Sequence, residues 1–316
     1  DLGYGVPGIG RFRVNIYQQR GSLVISMRTI SFDVLDFASL HMPPVVEKMI
    51  DEYRRGLILV TGTTGSGKST TLAAMIDYVN NNRSDNIITI EDPIEYLHRD
   101  NKSIINQREI GFDTTSFSLA LRAALRQDPD VILVGEMRDL ETIEIALTAA
   151  ETGHLVLSTL HTVDAVETVN RIVSVFQPHR QPQVRLQLAS ILRGVISQRL
   201  IDRCDGKGRV PAVEVMVNTP IVRECICDPD KTVEINDAIL KGQAIYGMQS
   251  FDQSILSHYR SDMISYDEAL LQSSNPDDFL LKVEGVSSTS DTSWDAFDGS
   301  NDETDGTETD IERFAK

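Results

Sequence analysis

The sequence predicts an α/β protein with a mainly parallel sheet covered by helices, and three observations lead there. Leu57 to Thr61, Asn86 to Ile90, Val131 to Gly135 and Leu155 to Thr159 are nearly continuous apolar runs, the pattern of strands buried on both faces. Helical stretches alternate with these runs from residue 57 to about 217, as crossover connections between parallel strands require. The first run is followed at once by Gly62-Thr63-Thr64-Gly65-Ser66-Gly67-Lys68-Ser69, a complete G-x-x-x-x-G-K-S, and then by a helix expected to begin near Thr70.

Taken in order, residues 11 to 28 alternate apolar and polar, with Phe12, Val14 and Ile16 before an Arg20-Gly21 turn and Leu23, Val24, Ile25 and Met27 after it. This is a hairpin closing a small β-containing unit, assigned to residues 1–42 with its linker. Pro43-Pro44 and a short amphipathic helix over Val45 to Tyr53 open the core, residues 43–218. After Pro220 the pattern becomes helical, with helices expected at Val233 to Lys241, Ser250 to Tyr259, Tyr266 to Gln272 and Pro276 to Lys282, a module of residues 219–284. From 285 to 316 the chain is rich in Ser, Thr, Asp and Gly, with Trp294, Phe297, Ile311 and Phe314 as its large apolar groups. That is too little apolar surface to offset the entropy of ordering, so a disordered acidic tail is expected. Its two readings are a solvating extension and a docking segment centred on Trp294-Asp295-Ala296-Phe297.

Composition narrows the function. The chain has 316 residues, 41% of them hydrophobic, and a net charge of −17, enough for ordinary packed cores in roughly two domains. No apolar run approaches the roughly 20 residues of a membrane span and no signal peptide opens the sequence, so a cytoplasmic location is expected. The first residues are Asp1-Leu2-Gly3 rather than methionine, so a segment upstream could have carried a signal. Acidity throughout, without a basic stripe, removes the counterion-release drive on which nucleic-acid motors depend, so no nucleic-acid partner is expected. Cys204, Cys225 and Cys227 form neither an even disulfide set nor paired zinc ligands and read as reduced thiols. Asn101-Lys102 runs into Ser103-Ile104, so the guanine-specificity motif is missing and a GTPase is disfavoured.

The glycine-rich loop predicts nucleotide triphosphate binding. Its glycines let successive backbone N–H groups face phosphates, Lys68 reaches the β and γ oxygens, and the Ser69 hydroxyl takes Mg²⁺, with Thr70 opening the helix behind. The run Val131 to Val134 leads to Gly135-Glu136, where Glu136 would hold Mg²⁺ through water. The strand at Ile87 to Ile90 leads to Glu91-Asp92-Pro93-Ile94-Glu95, at the end of a parallel strand where ligands bind. One of these carboxylates would orient or deprotonate the attacking water, and Glu91 is assigned that role. The fourth run starts at His154, which reads equally as structural, and exits at His161, placed to reach the γ-phosphate. Arg11, Arg13 and Arg28 cluster in the N-terminal hairpin, as a solvated strand face or as guanidiniums folded over the phosphates.

Together these features resemble the secretion-superfamily hexameric ATPases, and within them the type IV pilus retraction (twitching motility) ATPases of the PilT/PilU family. The residues that carry the resemblance are Gly62 to Ser69, the acidic box Glu91 to Glu95, Asp130 to Glu136 with Met137-Arg138-Asp139-Leu140-Glu141-Thr142, Thr152-Gly153-His154 to Leu160-His161-Thr162, and Gly247-Met248-Gln249 with Phe251-Asp252. It spans about residues 3 to 284. The resemblance implies an incomplete N-terminal PAS-like domain, a RecA-like ATPase core and a helical C-terminal module. It further implies Mg²⁺-dependent ATP hydrolysis in a homohexamer, Arg13 and Arg28 as arginine fingers, and work on an inner-membrane pilus platform from its cytoplasmic side, alongside a paralogous retraction ATPase. Two departures stand out. The family's Ala-Ile-Arg-Asn-Leu-Ile-Arg-Glu motif corresponds here to Ile221-Val222-Arg223-Glu224-Cys225-Ile226-Cys227-Asp228, without the second arginine. The acidic tail and Gly8 to Val14 look closer to the accessory, PilU-like branch, while Met137 to Ile143 looks closer to the PilT-like branch. An autonomous motor is the leading expectation and an accessory subunit the alternative. Pilus extension and type II secretion ATPases, which commonly carry a paired-cysteine zinc module, rank lower.

Overall fold

A computed structural model of the chain describes residues 2–6 and 9–284; the acidic stretch 285–316, with its expected disorder and its Trp294 segment, lies outside the described residues. Three antiparallel strands open the chain: β1 (Leu2–Val6), β2 (Gly10–Gln19) and β3 (Ser22–Ile30). The expected hairpin is the β2–β3 pair. Arg20 and Gly21 both have positive φ, 50° and 82°, the two-residue loop geometry whose twist matches that of the strands it joins.

The core follows as α1 (Pro44–Glu52), β4 (Gly56–Thr61), α2 (Lys68–Asn82), β5 (Asn86–Glu91), β6 (Ile104–Glu109), α3 (Phe117–Ala124), β7 (Val131–Val134), α4 (Leu140–Glu151), β8 (Leu155–Leu160), α5 (Ala165–Ser174), α6 (Gln181–Ile191), β9 (Leu192–Asp202) and β10 (Arg209–Val217). The strands form one seven-stranded sheet in the order β10-β9-β4-β8-β7-β5-β6. All neighbours are parallel except β10, which runs antiparallel to β9. Three of the strands, β6, β9 and β10, lie outside the four apolar runs read from the sequence.

Period-two alternation divides each central strand between two cores. Ile58 and Val60 of β4 join Val46 and Ile50 of α1 and Met75 and Ile76 of α2, while Leu57 and Leu59 join Leu121, Ile143 and Leu188 of the opposite helices. Because both faces are covered, every residue of β4 is buried, which is why Leu57 to Val60 are unbrokenly apolar. The C-terminal helices are α7 (Pro220–Cys227), α8 (Ile235–Lys241), α9 (Gln243–Tyr246), α10 (Phe251–Arg260), α11 (Tyr266–Gln272) and α12 (Pro276–Val283). Phe251, Ile255 and Phe279 close a third core over Ile201 of β9 and Val210 and Ala212 of β10. Among the described residues no helix is long and apolar enough to cross a membrane, and the three cysteines are free thiols.

One polar row crosses the sheet just before the glycine-rich loop. Thr61, Ser197 and Glu214 are register partners on β4, β9 and β10. Thr61 Oγ1 donates to Ser197 Oγ at 3.0 Å, Ser197 Oγ donates to Glu214 Oε1 at 3.4 Å, and the N–H of Ala165, first in α5, donates to the same oxygen at 2.9 Å. Burial pushes the Glu214 carboxyl up to about 7, against the partial opposition of its hydrogen bond from Ala165. The folded state therefore holds a proton between the ordinary value of 4.5 and about 7 that the unfolded chain has lost. The stability from this group is complete below the lower value and is lost as pH rises through the upper one. Glu214→Gln stays neutral and keeps the acceptor for Ala165. Denaturant midpoints followed from pH 4 to 8 should fall less steeply for this variant than for the wild type, with the difference growing across that window; parallel curves would contradict the buried titration.

Candidate nucleotide site

The end of β4 dictates the loop. Gly62 has φ 139°, and a Cβ there would collide with the Gln198 carbonyl and the Ser66 hydroxyl, so the turn into the loop requires glycine. Gly67, at φ 94°, caps α2, and this left-handed residue aims the helix N-terminus at the loop's interior. The Lys68 ammonium is folded into the loop, donating to the carbonyls of Gly62 and Thr63 at 2.8 Å each. Burial pulls its pKa down while the charges of Glu136 and Glu95 push it back up.

The loop borders a cavity of about 630 Å³, within the range of small-molecule sites. Thr64, Gly65, Gly67, Lys68, Ser69 and Thr70 line it, and Gly62, Thr63 and Ser66 border a smaller adjoining hollow of about 280 Å³. The opposite wall consists of strand ends. Glu91, the last residue of β5, is held at Oε1 by the Thr89 hydroxyl at 2.7 Å and by Gln107 Nε2 at 3.2 Å. Burial raises its pKa, and these hydrogen bonds counter part of that rise. Glu136, two residues beyond β7, is 13% exposed and forms an ion pair with Arg138. His161 follows β8; its Nε2 lies 3.4 Å from Glu136 Oε2. Ser158 and Thr159 on β8 donate to the carbonyls of Val134 and Gly135 at 2.7 and 2.6 Å, which fixes the exit of β7 and so the direction of Glu136. All of Lys68, Ser69, Glu91, Glu136 and His161 line the one cavity.

Other candidates separate. His154 turns back on α4, its Nδ1 2.9 Å from the Ala149 carbonyl, and does not line the cavity. Arg28 on β3 lines it, whereas its register partner Arg13 on β2 is exposed and does not. Arg11 is engaged elsewhere, with Nη2 3.0 Å from Oε2 of the buried Glu109. The sequence reading assigned no site role to Arg138, Arg209, Tyr96 or Gln107. Arg138 lay within the motif quoted above, and Tyr96, hydrogen bonded to Thr70 at 2.9 Å, closely follows the acidic box. Arg209 opens β10 and lines both hollows; no residue pattern around it signalled a strand end beside the loop.

For a metal, the described residues contain no group of three or more His, Cys, Asp or Glu able to hold one alone. The arrangement has room for a Mg²⁺ that keeps several waters and shares its coordination with phosphates; the Ser69 hydroxyl and, through water, Glu136 would be the residues to hold it.

Comparison with known proteins shows the family. The family described as Type II/IV secretion system protein matches residues 11–273. The type IV pilus retraction ATPase PilT of Pseudomonas aeruginosa is 49% identical over 279 residues, covering 88% of this chain and 80% of that protein. The chain belongs to the PilT/PilU family of secretion ATPases. The type IV pilus ATPase PilU of the same organism is 41% identical over 278 residues, 87% of this chain and 72% of that protein. A crystal structure of the pilus retraction motor PilT with bound ADP superposes with a TM-score of 0.81 at 48% identity, covering 88% of this chain and 78% of that one. In this family member the α/β core with its mostly parallel sheet matches the expected fold class.

The unequal placement of the two arginines can be measured. At saturating ATP, Arg28→Ala should lower turnover roughly 10-fold or more, as loss of a guanidinium that meets developing charge does, and Arg13→Ala should lower it less. Equal losses, or an effect confined to ATP affinity, would show that the cavity wall does not rank them.

Proposed function

We propose that this chain is the subunit of a homohexameric, Mg²⁺-dependent ATPase that drives type IV pilus retraction from the cytoplasmic face of the inner membrane, acting on a pilus platform protein there. The observation that carries the reading is the convergence of Lys68, Ser69, Glu91, Glu136 and His161 on one cavity beside Arg28, in a chain 49% identical to a retraction ATPase.

The chemistry follows from the positions. Backbone N–H groups of Gly62 to Thr70 and the start of α2 cradle the phosphates. Lys68 leaves its carbonyl partners for the β and γ oxygens. Mg²⁺ supplies neutralisation of phosphate charge when bound at Ser69. Glu136 holds its waters, and His161, beside Glu136, reaches the γ-phosphate. Glu91 takes the proton of the attacking water, and the raised pKa that burial gives it makes it a stronger acceptor than an exposed carboxylate. Arg28, on the cavity wall, serves as the arginine finger from the N-terminal sheet, and Arg13, its register partner off the wall, as a second finger of smaller effect.

A second reading has the chain as an accessory subunit paired with a paralogous retraction ATPase. It is favoured by α7, whose exposed outer side carries Ile221, Arg223 and Glu224, while Cys227 stands where the family motif has its second arginine. The platform contact would then be the weakened function and hydrolysis the retained one.

Lys68→Ala and Glu136→Gln should each lower ATP hydrolysis by the purified protein roughly 10²-fold or more, the scale of lost electrostatic stabilisation; near-normal hydrolysis in either variant would overturn the assignment. In a strain lacking the gene, pilus retraction should be lost and should return with the wild-type chain but not with Lys68→Ala. Retraction that survives the deletion, or is restored by Lys68→Ala, would favour the accessory reading.

A further inference from the structure

Gln107 lies outside every motif read from the sequence, on the edge strand β6, yet its amide hydrogen-bonds Glu91 on the cavity wall. It is the register partner of Thr89, two residues before Glu91. Its Oε1 accepts from the His98 N–H at 2.9 Å. Its Nε2 donates to the Tyr96 carbonyl at 2.9 Å and to Glu91 Oε1 at 3.2 Å. The orientation of the amide follows from these partners, since a flipped group would set its oxygen against a carbonyl and a carboxylate and its N–H₂ against an N–H.

Glu91 receives this donor together with the hydroxyl of Thr89, itself 1% exposed, on the same oxygen. The backbone N–H of Glu95 also favours the ionised form. With both side-chain donors on Oε1, the carboxylate is held in one orientation and its other oxygen is left for water. Thr89 belongs to β5 itself. Gln107 is the one that comes from another strand, and through Tyr96 and His98 it also ties down the turn that lines the cavity with Asp92, Pro93, Glu95, Tyr96 and His98.

We propose that Gln107 is the positioning residue for Glu91: its amide locks the carboxylate and the Asp92–His98 turn in one arrangement, so that β6 sets the geometry of proton abstraction. The inference rests on the reading of Glu91 as the group that activates water. The charged and titratable groups around Glu91 are Glu95 in the turn, which raises its pKa, with Asp92 and His98 in the same turn, and Lys68, Glu136, His161, Arg138, Arg209 and Arg28 across the cavity. Glu109 stands beside it on β6, paired with Arg11. On the β7 and α3 sides its neighbours are Gly135 and Phe117, which carry no charge.

Two variants of similar length separate orientation from bulk. Gln107→Met removes the donor and the acceptor. Gln107→Glu keeps the acceptor for His98 and replaces the donor with an oxygen facing Glu91. Steady-state ATP hydrolysis by the full chain should show kcat lowered roughly 10-fold or more in both, since small misplacements of a catalytic group have effects of this size, with the KM for ATP changed by less than about threefold. The acidic limb of the kcat–pH profile should move to higher pH, further in Gln107→Glu than in Gln107→Met, because Glu91 loses a hydrogen bond that favours its ionised form and in the former gains a like charge. Thermal melting of both proteins identifies a variant that has merely unfolded, and the other then decides. An unmoved limb in a folded variant, or an unchanged kcat, overturns the proposal. Glu91→Gln is measured in parallel. If it is inactive while the Gln107 variants match wild type, positioning alone fails; if it hydrolyses ATP normally, the role of Glu91 fails and the proposal with it.

Discussion

Parallel hydrogen bonding between β4, β8, β7 and β5 is the constraint from which the site arises. Parallel strands finish at one edge, and these four finish in the residues that carry chemistry: Gly62 after Thr61, His161 after Leu160, Glu136 two residues after Val134, and Glu91 as the last residue of β5. About a hundred residues of sequence separate Gly62 from His161, yet no long side chain is needed to bring them together. The sheet can impose this only because it is rigid, and it is rigid because both faces are covered, with β4, β7 and β8 buried throughout and β5 buried from Ile87 to Ile90.

That rigidity depends on how the polar groups within the sheet are satisfied. Unpaired, a buried hydroxyl or carboxylate costs about 1–3 kcal/mol or more, so each must face a partner, and the partners here lie laterally on adjacent strands. Thr61, Ser197 and Glu214 form one such row beneath the glycine-rich loop, and Ser158 and Thr159 bind the carbonyls of Val134 and Gly135 beneath Glu136. These rows lie immediately below the edge that lines the cavity. The same groups that make the interior legal for polar atoms thus also fix the backbone from which Lys68 and Glu136 project.

What could be read in the sequence follows from this division. Strands buried on both faces announce themselves as unbroken apolar runs, and the loop glycines and Lys68 are a local pattern, so β4, β5, β7, β8 and their exit residues were all legible. Strand β6 was not, because at the sheet's edge Ile104, Asn106 and Gln107 remain exposed or half-buried and the run Ile104–Glu109 has no apolar continuity. Strand β9 was hidden for the opposite reason: Ser197 and Gln198 are buried in its middle, with partners that only the fold supplies, Thr61 and Glu214 on neighbouring strands for the one and Thr71 on α2 for the other. His154 and His161 looked alike as residues at the two ends of one strand, and only tertiary contacts separate them. The three arginines of the hairpin looked alike too. Alternation along β2 puts Arg11 and Arg13 on one face, but reach and a partner at the right distance, not periodicity, gave Arg11 to Glu109 and left Arg13 in solvent.

The Arg11–Glu109 pair bears on how the small sheet communicates with the core. Exposed ion pairs contribute about 0–1 kcal/mol, but the Glu109 side chain is only 5% exposed, and a buried carboxylate left without its cation is far more costly. Glu109 Oε2 also accepts from the Ile94 N–H at 3.4 Å, and Ser31, just past β3, accepts from the Leu97 N–H at 3.0 Å. Arg99 lies over the Phe32 ring at 5.4 Å from its centroid. These contacts between the N-terminal segment and the core fall on residues 94 to 109, the stretch that runs from the acidic turn through β6. A displacement of the small sheet is therefore transmitted to the backbone around Glu91 at the same time as it carries Arg28 toward or away from the cavity. The N-terminal segment thus touches the core on the same short stretch whose turn follows Glu91.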